Sequence, residues 1–397
     1  MTAPVRVASV ARLLHIAGDE NRLMQTVLAS PAGEVEHTVF ILDPPEEMTE
    51  RERLRWADMT DVYDRNGTEV VHLAESSASG PARTAADRAR QVGRLAAEFR
   101  RRRIDVLDAR MGVPLAMALP AAKAARVPVA TLTAYYTSNY DPPVRHLVGQ
   151  ACLLGVDALI SDAQATLDDF DRWRWTGRSE LVLIPNGIQP VMSTLDRSEA
   201  RAALGLDVGP DVTVIGQVSR VMPRKAFDVF LRAARLALDT EPELHFAAIG
   251  FVSENERPHF EELQRLRDQL GLGDRLTFVS YPGPVADAYR AIDVFAHLSH
   301  ADSSPFAIHE GMSAGKPSVI SALPGNRELV TEGETGLLVP PGDAEATAEA
   351  FLHLVKDTAL AASLGAGARA RFNRRHQPEV MARSHLDLYR RLLTARA

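Results

Sequence analysis

One cysteine in 397 residues, Cys152, excludes an intrachain disulfide and fits a reducing compartment. Leu153 and Leu154 follow it, which marks a buried structural thiol rather than a nucleophile. Long apolar runs are missing as well: none approaches the ~20 residues that span a bilayer. The N-terminal stretch MTAPVRVASVARLL lacks the apolar core of a signal peptide, so a cytoplasmic protein is expected. There is no excess of basic charge. The formal net charge of -7 argues against nucleic acid as a partner. No repeat of solenoid length and no low-complexity tract interrupts the chain. Metal-ligand spacing is missing too, since the Asp-x-Asp at Asp169 and Asp171 reads as a charged helix surface. No metal and no cofactor is therefore expected.

What the chain does contain is an alternation of strands and helices. Strand candidates run over Val5 to Val10, His37 to Leu42, Glu69 to Leu73, Ile104 to Ala109, Val127 to Thr133 and Val156 to Ser161, with helical patterns between most of them. That alternation implies a parallel sheet covered on both faces. Pro185-Asn186-Gly187 ends a further strand and makes a hinge. A second set follows, over Val212 to Val218, Leu244 to Ile249, Leu276 to Val279, Val294 to Leu298 and Ser318 to Ser321. Two amphipathic helices belong to it, one carrying Phe227, Phe230, Leu231 and Ala234, the other Phe260, Leu263, Leu266 and Leu270. The expectation is α/β: two doubly wound Rossmann-like domains, 1–187 and 188–376, with a ligand in the cleft between them. Pro378 then opens a terminal helix in 377–397, with Met381, His385, Leu388 and Leu392 on one face, expected to return to the first domain. The basic helix from about Thr84 to Arg103 ends in Arg100, Arg101, Arg102 and Arg103. A solvated face is the preferred reading of it, with a membrane-facing patch as the alternative.

The segment Ser299 to Gly315 carries the chemistry. Asp302 and Glu310 stand eight positions apart, and Pro305 forces a helix to begin near Phe306. The unpaired N–H groups of that helix start make an anion site, flanked by two carboxylates that accept hydrogen bonds from hydroxyls. Hydroxyls on either side of a phosphate describe a nucleotide sugar. The competing reading is an ordinary strand-to-helix turn with Asp302 as its cap. Arg220 and Lys225 follow another strand, on a loop stiffened by Pro223, where two cations can bind a diphosphate. Gly18 and Asp19 sit at a strand-to-helix junction in the first domain, where a ligand can approach the backbone.

From residue 181 to 355 the chain resembles a retaining GT-B glycosyltransferase of the large group that includes glycogen synthase, sucrose synthase and bacterial mannosyl- and glucosyltransferases. The segments that carry the likeness are Ile184-Pro185-Asn186-Gly187-Ile188, the Arg220 and Lys225 pair, Gly271 to Phe278, Tyr289 to Phe295, Glu310 to Pro317, Gly325 to Val330 and Gly336 to Asp343. The resemblance implies roles at matching positions. Asp302 falls on the first acid of the Glu, seven residues, Glu motif, which contacts sugar hydroxyls, and Glu310 on the second, which holds the ribose. The diphosphate would lie against the amides near Phe306, Ala307 and Ile308, with Arg220 and Lys225 as its cations. Ala17 and Gly18 take the place of the glycine loop, and Ser280 and Tyr281 would lie near the base. The implied partners are a UDP- or GDP-sugar and a hydroxyl-bearing acceptor from natural-product, lipid or polysaccharide synthesis. His15, Asn21, Tyr135 and Tyr136 are the acceptor-side candidates, with Arg12 and Asn139 beside them.

The chain departs from that pattern at several places. Asp302 is one carbon shorter than the usual Glu. Ser219 and Ala226 replace glycines beside the basic pair, and Ala17 replaces the first glycine of the loop. Thr131 to Tyr136 stands where many relatives carry a His, which leaves His15 or His146 as substitutes. Two other readings stay open: a nucleotide-sugar epimerase, which shares the architecture, and, because Asp302 and the missing His depart from the pattern, a catalytically weak nucleotide-sugar-binding protein.

Overall fold

The computed structural model describes residues 3–12, 18–42, 59–73, 85–134, 153–173, 179–281 and 283–396. The chain divides into two compact units, Met1–Gly187 with Pro378–Ala397, and Ile188–Gln377. Each is built on one parallel sheet, as the alternation of elements predicts.

In the first unit the strands are β1 (Val5–Ala11), β2 (Val35–Ile41), β3 (Glu69–His72), β4 (Val106–Arg110), β5 (Val129–Ala134), β6 (Ala158–Ser161) and β7 (Glu180–Leu183), in the order β3-β2-β1-β4-β5-β6-β7. Helix α1 (Gly18–Leu28) follows β1. The observed β4 and β5 start two residues later than the apolar pattern. The reason is a helix-ending device: Arg103 and Arg126 take left-handed backbone conformations, and the next residues bond back, Ile104 N–H to Phe99 O and Val127 N–H to Ala122 O. An apolar residue just past such a turn packs down on the helix it ends. In sequence, that residue looks like the first of the strand. The basic helix, observed as Ala85–Arg102, spreads its charge over Glu98 and Glu69 in ion pairs and leaves Arg100 and Arg101 exposed, the pattern of a solvated face.

In the second unit the strands are β8 (Val214–Val218), β9 (His245–Ile249), β10 (Leu276–Val279), β11 (Val294–His297), β12 (Ser318–Ser321) and β13 (Leu337–Val339), in the order β10-β9-β8-β11-β12-β13. The sequence reading omits β13, which is only three residues long and follows a turn. Helix α2 (Phe227–Thr240) follows β8 and α3 (Phe306–Ser313) follows β11. Both sheet faces are covered. On one side Phe230 meets Phe246 and Phe351 edge to face, at 5.7 Å and 6.1 Å. Ile292, Phe295, Ile308 and Met312 fill the other. Of the two amphipathic helices, α2 buries all four expected residues, whereas the helix Arg257–Gln269 buries only Leu263.

Strand order reverses between β1 and β4 in the first unit and between β8 and β11 in the second. Loops on either side of such a reversal part from each other, so a crevice opens at the carboxyl ends of those two strands.

The terminal helix α4 (Pro378–Arg396) is part of the first unit. Leu386 and Tyr389 pack on Val5, Val7, Val106 and Val129, while Met381 and Leu388 pack on Ala158, Ile160 and Ile184. Ion pairs from Arg383 to Glu34 at 3.0 Å and from Arg391 to Glu180 at 2.7 Å fix its register. Among the described residues no helix is long and apolar enough to cross a membrane. Leu386 is 1% exposed, so Leu386→Ala is expected to cost about 2–5 kcal/mol, read as an earlier urea midpoint for the first unit. A loss below about 1 kcal/mol would show that the helix is not part of this core.

Candidate functional site

β8 and β11 are neighbours, with Gly216 opposite Phe295 and Gln217 opposite Ala296. The loop leaving each strand therefore starts beside the other. After β8, Ser219 and Val221 donate backbone bonds to Ile249 and Phe251, which hold the loop against the end of β9. Pro223 then begins a single 3-10 turn, Pro223–Lys225, and the buried Gln217 side chain donates 2.6 Å to the Lys225 carbonyl. Ala226 closes the turn at φ 44°, a left-handed conformation that costs an alanine roughly 1 kcal/mol and a glycine nothing. That geometry gives the physical reason for a glycine after the lysine in the family pattern.

The turn sends Lys225 inward. Its ammonium lies 2.7 Å from Asp302 Oδ2 and 2.9 Å from Oδ1, and both side chains are less than a tenth exposed. Arg224 Nη1 donates to Asp302 Oδ1 at 2.7 Å and to the Ala301 carbonyl at 3.1 Å. His297, the last residue of β11, brings Nε2 to 3.1 Å from Oδ2. Burial acts to raise the Asp302 pKa, but the His297 hydrogen bond and the Lys225 charge outweigh it and hold the carboxyl far below the usual range. Burial lowers the pKa of Lys225, with Asp302 opposing. Burial and then Lys225 lower that of His297, so its ring stays neutral. A neutral ring facing a carboxylate carries its proton on Nε2 and donates it.

The loop after β11 is tied to the same turn. Ser299 Oγ and the His300 N–H both donate 2.8 Å to the Arg224 carbonyl. Beyond Asp302, the Ser303 carbonyl lies against Gly325, where a Cβ would come within 1.7 Å of the oxygen. Only glycine allows that approach. Helix α3 then starts at Phe306 with Pro305 in the cap position and, among the described residues, no side-chain cap. Asp302 is thus not the cap of this helix. The Ile308 amide already bonds Pro305 O at 3.1 Å. Of the three residues expected to offer amides to a diphosphate, this leaves Phe306 and Ala307 as the better placed. Glu310 lies on α3 with Oε2 3.0 Å from the Tyr289 hydroxyl, which also lies 2.9 Å from the Ala307 carbonyl. Burial raises the Glu310 pKa, and the Tyr289 hydrogen bond opposes.

The Arg220 side chain is 55% exposed, with Nη2 3.5 Å from Glu256, and its charge reaches Lys225 without sharing the Asp302 carboxylate. The cation that joins Lys225 there is Arg224, because one 3-10 turn puts adjacent residues on the same carboxylate. His297 was also missed. Its only signal in sequence is a histidine at the end of an otherwise apolar strand, which reads as core. Tyr281 donates its hydroxyl to Asp287 Oδ2 at 2.7 Å, and Ser193 holds the other oxygen at 2.6 Å. Among the described residues no group of three or more His, Cys, Asp or Glu is placed to hold a metal ion.

In the first unit Gly18 is exposed at the start of α1, and Asn21 accepts from Gln25 at 3.4 Å. His15, Ala17, Tyr135, Tyr136, Asn139, His146 and Cys152 lie outside the described residues. Sequence reasoning also missed a buried polar chain here. Arg22, 1% exposed, donates 2.5 Å to Asn186 Oδ1 and 2.8 Å to the Ile184 carbonyl, and Asn186 donates 2.8 Å to Asp162. The asparagine of the Pro-Asn-Gly turn is therefore a buried link as well as a turn former. His385 of α4 lies 3.4 Å from Arg22, and burial drives its pKa down to about 3.

Residues 196–371 match the family model described as Glycosyl transferases group 1. The chain is similar to a D-inositol 3-phosphate glycosyltransferase of Rhodococcus opacus (strain B4), 33% identical over 233 residues, which are 57% of this chain and 52% of the relative. It is similar to the protein of that name from Stackebrandtia nassauensis, 30% identical over 260 residues, 63% of this chain and 58% of the relative. The chain spans about half the length of the curated relatives it matches. Among solved structures it resembles Anabaena Alr3699/HepE in complex with UDP and glucose, with TM-score 0.80, 19% identity, and 98% of this chain and 100% of that one covered. The sucrose-phosphate synthase of Thermosynechococcus elongatus gives TM-score 0.74 at 21% identity, again over 98% of this chain and 100% of that one.

The ion pair at the centre of the matched segment has an energetic signature. Asp302→Ala strands a buried ammonium and is expected to cost about 3–5 kcal/mol, part of which Lys225→Met recovers in the double variant. A double variant no more stable than Asp302→Ala would show that Lys225 is not held by this carboxylate. Because the folded pKa of Asp302 is depressed, the pair contributes in full above the ordinary aspartate value of 3.8 and is lost only as pH falls below it. Stability between pH 7 and 5 should therefore not report its loss. Residues 196–371 thus match the Glycosyl transferases group 1 model, in a chain of GT-B, α/β fold.

Proposed function

We propose that this protein is a glycosyltransferase that moves a sugar from a UDP- or GDP-sugar to an acceptor hydroxyl with retention of anomeric configuration. The observation that carries the reading is the Lys225 and Asp302 pair at the β8 and β11 strand ends, beside a helix start without a side-chain cap. The family match over 196–371 supports it. In this reading the diphosphate lies against the first amides of α3, Lys225 and Arg220 take its charge together with Arg224, Asp302 accepts from the sugar hydroxyls, and Glu310 holds the ribose. The Tyr281 ring sits by the base, and Gly18 is the donor-side candidate of the first unit. His15, Asn21, Tyr135 and Tyr136 are the acceptor-side candidates.

Retention needs no protein nucleophile. The acceptor hydroxyl attacks from the face that the phosphate leaves, the bond from the anomeric carbon to the phosphate oxygen breaks, and that oxygen takes the hydroxyl proton. The protein contributes orientation and stabilises charge on the departing diphosphate. Lysine and arginine do this as point charges and forks without a metal. Transfer is therefore expected to survive excess EDTA, and strict metal dependence would overturn this account.

UDP-glucose, named in a HepE complex, and D-inositol 3-phosphate, named in the relatives, are the first donor and acceptor to try. A panel of nucleotide sugars, followed by free nucleotide, altered sugar nucleotide and product mass, separates a transferase from an epimerase and from a binding protein. Anomeric coupling constants of the product report retention. Lys225→Ala is expected to lower kcat about 10²–10³-fold with the fold intact. Wild-type turnover in Lys225→Ala and Arg220→Ala would remove the diphosphate assignment.

A further inference from the structure

Among the described residues three side chains contact Asp302, and they differ in kind. Lys225 touches both oxygens, Arg224 touches Oδ1, and His297 touches Oδ2. The first two are cations on flexible stems, and the Arg224 side chain is 47% exposed. An arriving diphosphate carries more negative charge than one carboxylate and draws them toward itself. The third cannot follow. His297 is the last residue of a buried strand, paired to Ile320 of β12, and its side chain is 1% exposed with its ring 6.2 Å from that of Phe295. It is also uncharged, so a phosphate has little hold on it. Its Nδ1 is buried and meets no hydrogen-bond partner among the described residues, which leaves the Nε2 bond to Asp302 as the polar anchor of the ring.

We propose that His297 is a positioning residue, whose Nε2–H bond keeps Asp302 Oδ2 in place when Lys225 and Arg224 turn to the donor diphosphate, so that Oδ1 is freed at a fixed position for a sugar hydroxyl. This rests on the transferase reading above. It assigns His297 no contact with the substrate. It makes the division of labour on Asp302 explicit: two cations occupy the carboxylate before the donor binds, and one neutral donor holds it afterwards.

The test uses His297→Leu, which removes the donor, and His297→Gln, whose amide Nε2 reaches the same oxygen. With the sugar nucleotide that the wild type turns over, His297→Leu is expected to lower kcat about 10- to 100-fold with donor KM changed less than about threefold. His297→Gln is expected to recover most of that loss. UDP affinity, read by calorimetry, should stay within about twofold in both variants, because UDP lacks the sugar. A role in packing alone would lower the melting temperature of the two variants without separating their kcat values, and that result overturns the proposal, as does wild-type kcat in His297→Leu. A second measurement needs no turnover. In the full-length wild type, the ring ¹⁵N shifts of His297 are expected to show a protonated, hydrogen-bonded Nε2 and a bare Nδ1 both before and after saturation with UDP. Loss of that bond on UDP binding overturns the inference whether or not transfer is found, whereas an intact bond with no transfer to any acceptor would put the fault in the transferase reading.

Discussion

Two opposite charges withdrawn from water at the ends of two adjacent strands set the terms for the second unit. Desolvating Lys225 and Asp302 costs several kcal/mol per ion, and the pair repays that only if the remaining lone pairs and protons are also satisfied at good geometry. The surroundings meet that demand. Asp302 receives four short contacts from three side chains, and the backbone that delivers each partner is itself fastened. Gln217 secures the turn that carries Lys225, Ser299 and His300 tie the second loop to that turn, and Gly325 admits the Ser303 carbonyl. Each of these polar groups is explicable as support for a pair that would otherwise destabilise the domain.

Such an arrangement is well matched to an anionic ligand. A site held together by its own carboxylate keeps its cations ordered, so little side-chain freedom would remain to be lost on binding the proposed diphosphate. On the proposed reading, binding exchanges the carboxylate for a diphosphate as the anion that Lys225 faces, and releases the carboxylate at a fixed position.

How much of this was legible in the sequence depended on whether the controlling interaction was local. The alternation of elements and the start of α3 after Pro305 are local signals, and they were readable. The pairing of Arg224 with Asp302 was not, because it hinges on a three-residue turn closed by Ala226 at positive φ. His297 was hidden by its own strand: burial is the ordinary fate of a residue between Ala296 and Leu298, and only the pairing of β11 with β8 shows what it faces. The strand starts at Ile104 and Val127 misled for a related reason, since burial past a helix end mimics burial in a sheet. Arg22 and Asn186, 164 positions apart, could not have been joined by any pattern.

The placement of α4 bears on how the protein is made. Synthesis delivers Met1–Gly187 first, then all of Ile188–Gln377, and only then the helix whose Leu386 and Tyr389 cover Val7, Val106 and Val129. A nascent first unit thus carries an open apolar strip and an incomplete polar chain around Arg22 until translation has passed the second. The second unit meets no such delay. Vectorial folding is therefore expected to run out of order, with the middle of the chain reaching its native state before the beginning, and the first unit relying on protection from aggregation during that interval.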